Sequence, residues 1–75
     1  MGTPIERGRY SFRVAEYADG QPWIMTDPLY DTDKLTILGP HGFIGFDLKR
    51  GTTYQEAEQT ARFLNERITF ITCNT

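Results

Sequence analysis

One segment of this sequence, residues 53 to 68, has the periodicity of an amphipathic helix. Thr52 or Thr53 can cap its start, because Gln55 and Glu56 follow three residues later, as in a capping box. A helix with one apolar side needs other elements to cover that side. The apolar side chains recur three and four residues apart: Tyr54, Ala57, Ala61, Leu64 and Ile68.

The polar side of this helix contains charged residues and one aromatic residue. Glu58 and Arg62 have the spacing of a favourable ion pair, as do Arg62 and Glu66. At about 100° per residue, Phe63 lies roughly 130° from the centre of the apolar stripe. Its ring is therefore expected to face water or a partner, unless another segment covers it. Its neighbours on this outer face are Glu56, Gln59 and Arg67.

The first half of the chain alternates between apolar and polar residues. From Arg9 to Val14 the alternation predicts a half-buried strand, and residues 23 to 26 are the return strand. Asp19-Gly20 between them predicts a type I′ turn, which needs positive φ at both central residues. Residues 1 to 8 lack periodicity and are predicted to be a flexible lead-in to a single domain that spans residues 9 to 75.

A second hairpin is predicted from residues 35–38 and 43–48, with a Gly- and Pro-containing turn between them. Gly45 within it indicates a bulge or a close approach. Residues 68–73 are predicted to form a last strand. The sequence thus predicts an α+β fold of order β-β-β-β-α-β, a mostly antiparallel sheet with one helix on one face. The β-α-β return would be right-handed if its strands were parallel.

Composition restricts the classes of function. Cys73 is the only cysteine in 75 residues, so an internal disulfide is excluded, and with His41 as the only other soft ligand so is a structural zinc site. We predict no cofactor. A net charge of −2 argues against nucleic-acid binding by bulk electrostatics. No apolar run is long enough for a membrane span, and we expect a cytoplasmic protein.

The helix start is the strongest candidate for an anion site. Two cations, a glycine and two hydroxyls converge where free N–H groups and the helix dipole favour negative charge. The alternative is that Gly51 makes a turn, a threonine caps the helix, and the cations are solvated. No GxxxxGK[ST] or GxGxxG phosphate loop opens this helix. The residues concerned are Lys49, Arg50, Gly51, Thr52 and Thr53.

Other candidate groups are isolated. His41 titrates near neutrality, but it has no evident carboxylate partner for acid–base catalysis. The aspartates at positions 27, 31 and 33 lack the rest of a calcium loop, so a solvated loop is the better interpretation. Arg9, Arg13 and Tyr17 share a predicted sheet face that could stack single-stranded nucleic acid, although the acidic total disfavours this.

The order of elements, with "ADGQPWIM" as a turn and strand and "GTTYQEAEQTARFL" as the helix, resembles the HicB-like antitoxin domain. The matching residues are Asp19, Gly20, Gly51, Thr53, Glu56 and Ala57. The resemblance implies an antitoxin or regulator. A "GFDL…GTTYQEAE…FLN" core is also similar to that of small uncharacterised bacterial proteins, which implies no activity.

Three hypotheses follow. The first is a small non-enzymatic protein-interaction domain that forms a homodimer or binds a protein partner through the face around Phe63. Its support is a 13% aromatic content in a chain too short to bury every ring well. The second is an anion- or ligand-binding module at the helix start, and the third is an enzyme.

Overall fold

The computed structural model describes residues 5–39 and 43–74. Four strands form one antiparallel sheet of order β3-β2-β1-β4, and a single helix packs on one face of it. This confirms the predicted α+β class. The elements are β1 (Ile5–Glu16), β2 (Pro22–Pro28), β3 (Gly45–Asp47), α1 (Tyr54–Arg67) and β4 (Phe70–Asn74).

The predicted strand at residues 35–38 is wrong. Thr36–Leu38 form a short 3₁₀ turn in which Leu38 donates its N–H to the carbonyl of Leu35. Leu35 is buried, whereas Ile37 is 48% exposed, so one anchoring side chain replaces the alternation of a strand. The order is therefore β-β-β-α-β, and β3 pairs directly with β2. The expected turn at residues 40–42 lies outside the described residues.

The predicted lead-in is too long, because β1 begins at Ile5. Residues 5 to 9 of β1 pair with β4, from Ile5 opposite Asn74 to Arg9 opposite Phe70. A Cβ at Gly8 would lie 2.5 Å from the carbonyl oxygen of Asp33, so the loop after β2 crosses the backbone there closely. Residues 5 to 8 thus belong to the sheet, and residues 1 to 4 lie outside the described chain.

The β1–β2 hairpin is confirmed, but its turn is not type I′. Among the described residues only glycines have positive φ, so Asp19 does not adopt the conformation that type I′ requires. Gly20 has φ 87° and donates to the carbonyl of Tyr17, while the Tyr17 N–H reaches Gln21. This is a three-residue loop with a left-handed glycine.

The core lies between α1 and the centre of the sheet. Ile24 and Ala57 are fully buried, and Phe12 and Ala61 nearly so. Of the predicted stripe, the alanines are buried and Leu64 and Ile68 are half-buried, but Tyr54 is 48% exposed at the first helical turn. The other half-buried residues around this core are Val14, Leu48 and Ile71.

The last strand begins at Phe70, two residues later than predicted, and lies beside β1. Because β1 is antiparallel to both β2 and β4, and β2 to β3, strands β3 and β4 run in opposite directions. The condition for a right-handed parallel crossover is therefore not met. No helix within the described residues combines the length and the apolar character needed to cross a lipid bilayer.

Candidate functional site

The start of α1 is closed by a capping box. The Thr53 hydroxyl accepts the Glu56 N–H at 3.1 Å, and the Glu56 carboxylate accepts the Thr53 N–H at 2.9 Å. The hydrogen bond from the Thr53 N–H is the main cause that lowers the pKa of Glu56, and the Thr53 hydroxyl is the second. A carboxylate of the chain itself thus occupies the place at the helix start where an anion would bind.

The other residues of the predicted anion site also have intrachain roles. The Thr52 hydroxyl donates to the Lys49 carbonyl at 2.7 Å, and Gly51 has φ 90°, a conformation that favours glycine. Arg50 donates to the Asp19 carboxylate at 3.2 Å. The structure places these residues together, and their contacts favour the capping interpretation. Anion binding stays a prediction.

A pocket of about 310 Å³ lies beside Arg50, between the hairpin turn and the loop before α1. Its lining includes the carboxylates of Asp19 and Asp47. The Tyr17 hydroxyl donates to Asp47 at 2.6 Å, and this bond raises the pKa of Tyr17. Two carboxylates beside one guanidinium disfavour an anionic ligand in this pocket.

The outer face of α1 presents Phe63 with 57% of its surface exposed. The Arg67 guanidinium carbon lies 5.4 Å from the centre of the ring. Glu56 and Gln59 are exposed on the same side of the helix. The loop after β2, which could have covered this ring, packs instead against β1 at Gly8. The structure therefore brings the four predicted partner-binding residues onto one accessible face.

The sheet face opposite α1 carries a row of aromatic side chains. Tyr17 stacks on Trp23 with ring centres 5.5 Å apart, and Trp23 contacts Phe43 at 5.7 Å. The Trp23 ring also covers Gly45, where a Cβ would lie 2.7 Å from it, so Gly45 is a close-approach point as predicted. Tyr17 was predicted on this face, but its stacking partners were not.

Arg9 and Arg13 on this open sheet face each contact another side chain of the same chain. Arg13 forms an ion pair with Asp27. The Arg9 guanidinium lies 5.9 Å from the centre of the Phe70 ring. A phosphate backbone would have to compete with these contacts for both cations.

Asn65 makes a contact with β1 that the sequence pattern did not predict. Its side-chain amide accepts the Phe12 N–H at 2.7 Å and donates to the Phe12 carbonyl at 2.8 Å. A single amide thereby replaces a neighbouring strand at one residue of β1. The available indication was a polar residue that lies beside the apolar stripe on the helix.

The remaining candidate groups are separate. Within residues 5–39 and 43–74, no three His, Cys, Asp or Glu side chains come together in a metal-binding arrangement. Cys73 is a half-buried free thiol in β4. His41 lies outside the described residues.

Comparison of the chain with family models, curated proteins and solved structures finds no match. The resemblance to HicB-like antitoxin domains therefore stays a prediction. Function has to be argued from the surfaces described above.

Proposed function

We propose that this protein is a small non-enzymatic protein-interaction domain that self-associates or binds a protein partner through the outer face of α1. The observation that carries the proposal is the Phe63 ring, which is 57% exposed and which, in the described part of the chain, has only the Arg67 guanidinium over it. A partner that covers this ring removes apolar surface from water. A cytoplasmic location, compatible with the free Cys73, is part of the proposal.

The balance of buried and exposed apolar residues supports an interaction role. Six hydrophobic residues are buried within the described chain, whereas ten large hydrophobic residues are exposed. A domain of this size buries a smaller fraction of its unfolded surface than a larger domain does, so a partner that covers exposed rings adds stability.

The surroundings of Phe63 suit a protein interface. A large ring at the centre of a patch is a common energetic anchor, and an arginine beside it is the other residue type enriched at such positions. Arg67 lies over the ring, while Glu56 and Gln59 supply a polar rim. Glu56 is tied to Thr53 and is therefore held in place without a partner.

The alternatives have weaker support from the contacts. An anion- or ligand-binding module would need the helix start, where Glu56 already accepts the Thr53 N–H. An antitoxin or regulator of the HicB type would also work by binding a protein, so it is a special case of the proposal. A nucleic-acid partner would compete with Asp27 for Arg13.

The test is sedimentation equilibrium of the wild type and Phe63→Glu over micromolar to millimolar concentrations. We expect the wild type to associate and Phe63→Glu to lose the association made through this face, while it keeps its helical circular dichroism. Leu29→Glu is the matched control, because Leu29 is similarly exposed but lies in the loop after β2. A wild type that stays monomeric up to millimolar concentration, or a Phe63→Glu protein that associates like the wild type, would contradict self-association through this face.

A further inference from the structure

Strand β1 has a free edge on the side where β4 lies. Its other edge pairs with β2 along residues 10 to 16. On the β4 side, pairing covers residues 5 to 9 only. The second half of β1 therefore has no strand beside it on this edge within the described chain.

Asn65 satisfies this edge at one residue and no further. Phe12 directs its N–H and carbonyl to the Asn65 amide. Because hydrogen-bonding direction alternates along an antiparallel strand, Val14 and Glu16 direct theirs to the same edge. No hydrogen bond within the described residues satisfies them there. Two residues of β1 thus offer donors and acceptors to an added strand.

A groove of about 430 Å³ lies between this edge and α1. Phe12, Val14 and Ala61 provide its apolar part, and the exposed Tyr54 ring also lines it. Glu58 and Arg62 line the helix side. The groove thus combines unpaired backbone, apolar side chains and charges of both signs.

The charges indicate which molecule fits. Neither predicted ion pair of Arg62, with Glu58 or with Glu66, is formed. The ion pairs among the described residues are Arg13–Asp27 and Arg50–Asp19. Glu58 and Arg62 lie one helical turn apart on the same wall. A two-fold axis that is perpendicular to α1 and passes near residue 60 sets the helix of a second copy antiparallel to the first. It then brings Glu58 of each chain to Arg62 of the other. A two-fold interface requires such self-complementarity.

We propose that a second copy of this chain docks on the free edge of β1. Val14 and Glu16 of each copy pair with Glu16 and Val14 of the other, which extends the sheet across the two molecules. Glu58 and Arg62 form reciprocal ion pairs above the joined strands. Asn65 occupies the backbone N–H and carbonyl of Phe12, so the added strand pairing ends before Phe12.

This interface is distinct from the face around Phe63, which points away from Glu58 and Arg62 on the helix. The inference rests on self-association, as the proposed function does, but it concerns another surface. If both surfaces bind copies of the chain, a tetramer is the smallest closed assembly that uses both two-fold contacts.

A charge-swap series tests the edge interface by sedimentation equilibrium. Glu58→Arg and Arg62→Glu each place like charges across the axis, and we expect each variant to lose one level of association, with its mass halved. The double variant Glu58→Arg/Arg62→Glu restores opposite charges and should regain the wild-type mass. An equimolar mixture of the two single variants should also regain it, because each then meets its complement.

Single variants with the wild-type mass, or a double variant that stays at the reduced mass, would overturn the edge interface. Phe63→Glu separates this result from the proposed function. An effect of the charge swaps without an effect of Phe63→Glu supports the edge and contradicts the helix-face proposal. The reverse result overturns the edge only, and a monomeric wild type overturns both the edge interface and self-association through the helix face.

Discussion

Thr52 and Thr53 are adjacent threonines with different partners. Thr53 accepts the Glu56 N–H at the start of α1, whereas Thr52 donates to the Lys49 carbonyl in an exposed loop. Loss of an N-cap costs about 0.5–2 kcal/mol, and a neutral hydrogen bond in an exposed loop costs less. We therefore expect Thr53→Ala to lower the free energy of unfolding by about 1 kcal/mol, and Thr52→Ala by less than half of that.

Urea unfolding followed by circular dichroism measures both threonine variants. Thr52→Ala is the matched control, since the same methyl and hydroxyl are removed one residue away. Equal losses in the two variants would show that Thr53 does not act as the cap.

At the scale of elements, the contact between α1 and the sheet contains positions of unequal burial. Ile24 in β2 is fully buried, whereas Leu64 in α1 is half-buried at the margin of the core. Large-to-small substitutions in cores cost about 2–5 kcal/mol and cost more where a cavity remains. We expect Leu64→Ala to cost about 2 kcal/mol and Ile24→Ala more.

The measurement is the urea midpoint of each variant. Because the total stability of a domain this small is limited, Ile24→Ala could unfold it, so Ile24→Val provides a milder comparison at about 0.5–1.5 kcal/mol. A larger loss for Leu64→Ala than for Ile24→Ala would contradict the placement of the core under the centre of the sheet.

For the whole molecule, hydrogen bonds to titratable groups predict how stability depends on pH. The Gln21 N–H, with help from Arg50, holds the pKa of Asp19 below its usual value, and Thr53 does the same for Glu56. Such groups stabilise the fold above their unfolded pKa of about 4, and the contribution is lost as the pH falls through the folded pKa.

Two tyrosines make the stability of the fold decrease as the pH rises at the alkaline end. Burial raises the pKa of Tyr10, and the bond to Asp47 raises that of Tyr17. Their contribution is complete below the unfolded pKa of about 10 and is lost as the pH rises through the folded pKa. We expect a plateau in the urea midpoint between about pH 5 and pH 9.

The pH dependence is checked with two variants. Glu56→Gln should flatten the acid limb of the urea-midpoint profile, and Tyr17→Phe should flatten the alkaline limb. Each variant serves as the control for the other, because each is expected to leave the opposite limb unchanged. A wild-type urea midpoint that continues to increase as the pH falls below about 4 would contradict this prediction.

The length of β1 matches the longest dimension of the molecule. The protein measures 41 × 25 × 25 Å, and twelve residues of β1 at about 3.3 Å each span roughly that length. β1 is therefore longer than either of its partners, β2 and β4, each of which covers only part of it. This mismatch leaves the free edge near Val14.

The sequence by itself determined the features that depend on near neighbours. The spacing of alanines and leucine placed α1, and Thr53 with Glu56 predicted the capping box that closes it. Alternation in residues 9 to 14 and the Asp19-Gly20 pair predicted the first hairpin. The hydrogen bonds and the apolar spacing that define these elements involve residues only a few positions apart. The local sequence is therefore enough to predict them.

Only the tertiary structure decided the rest. Residues 5 to 8 join the sheet because β4, more than sixty residues away, supplies their hydrogen bonds. Residues 35–38 are a turn because Leu35 alone is buried, and Asn65 matters because helix packing brings it to Phe12. In each case the deciding partner is distant in the chain. The local sequence of an apolar run or the identity of a polar side chain does not specify which distant partner it will contact. That partner is set only when the sheet and the helix pack together.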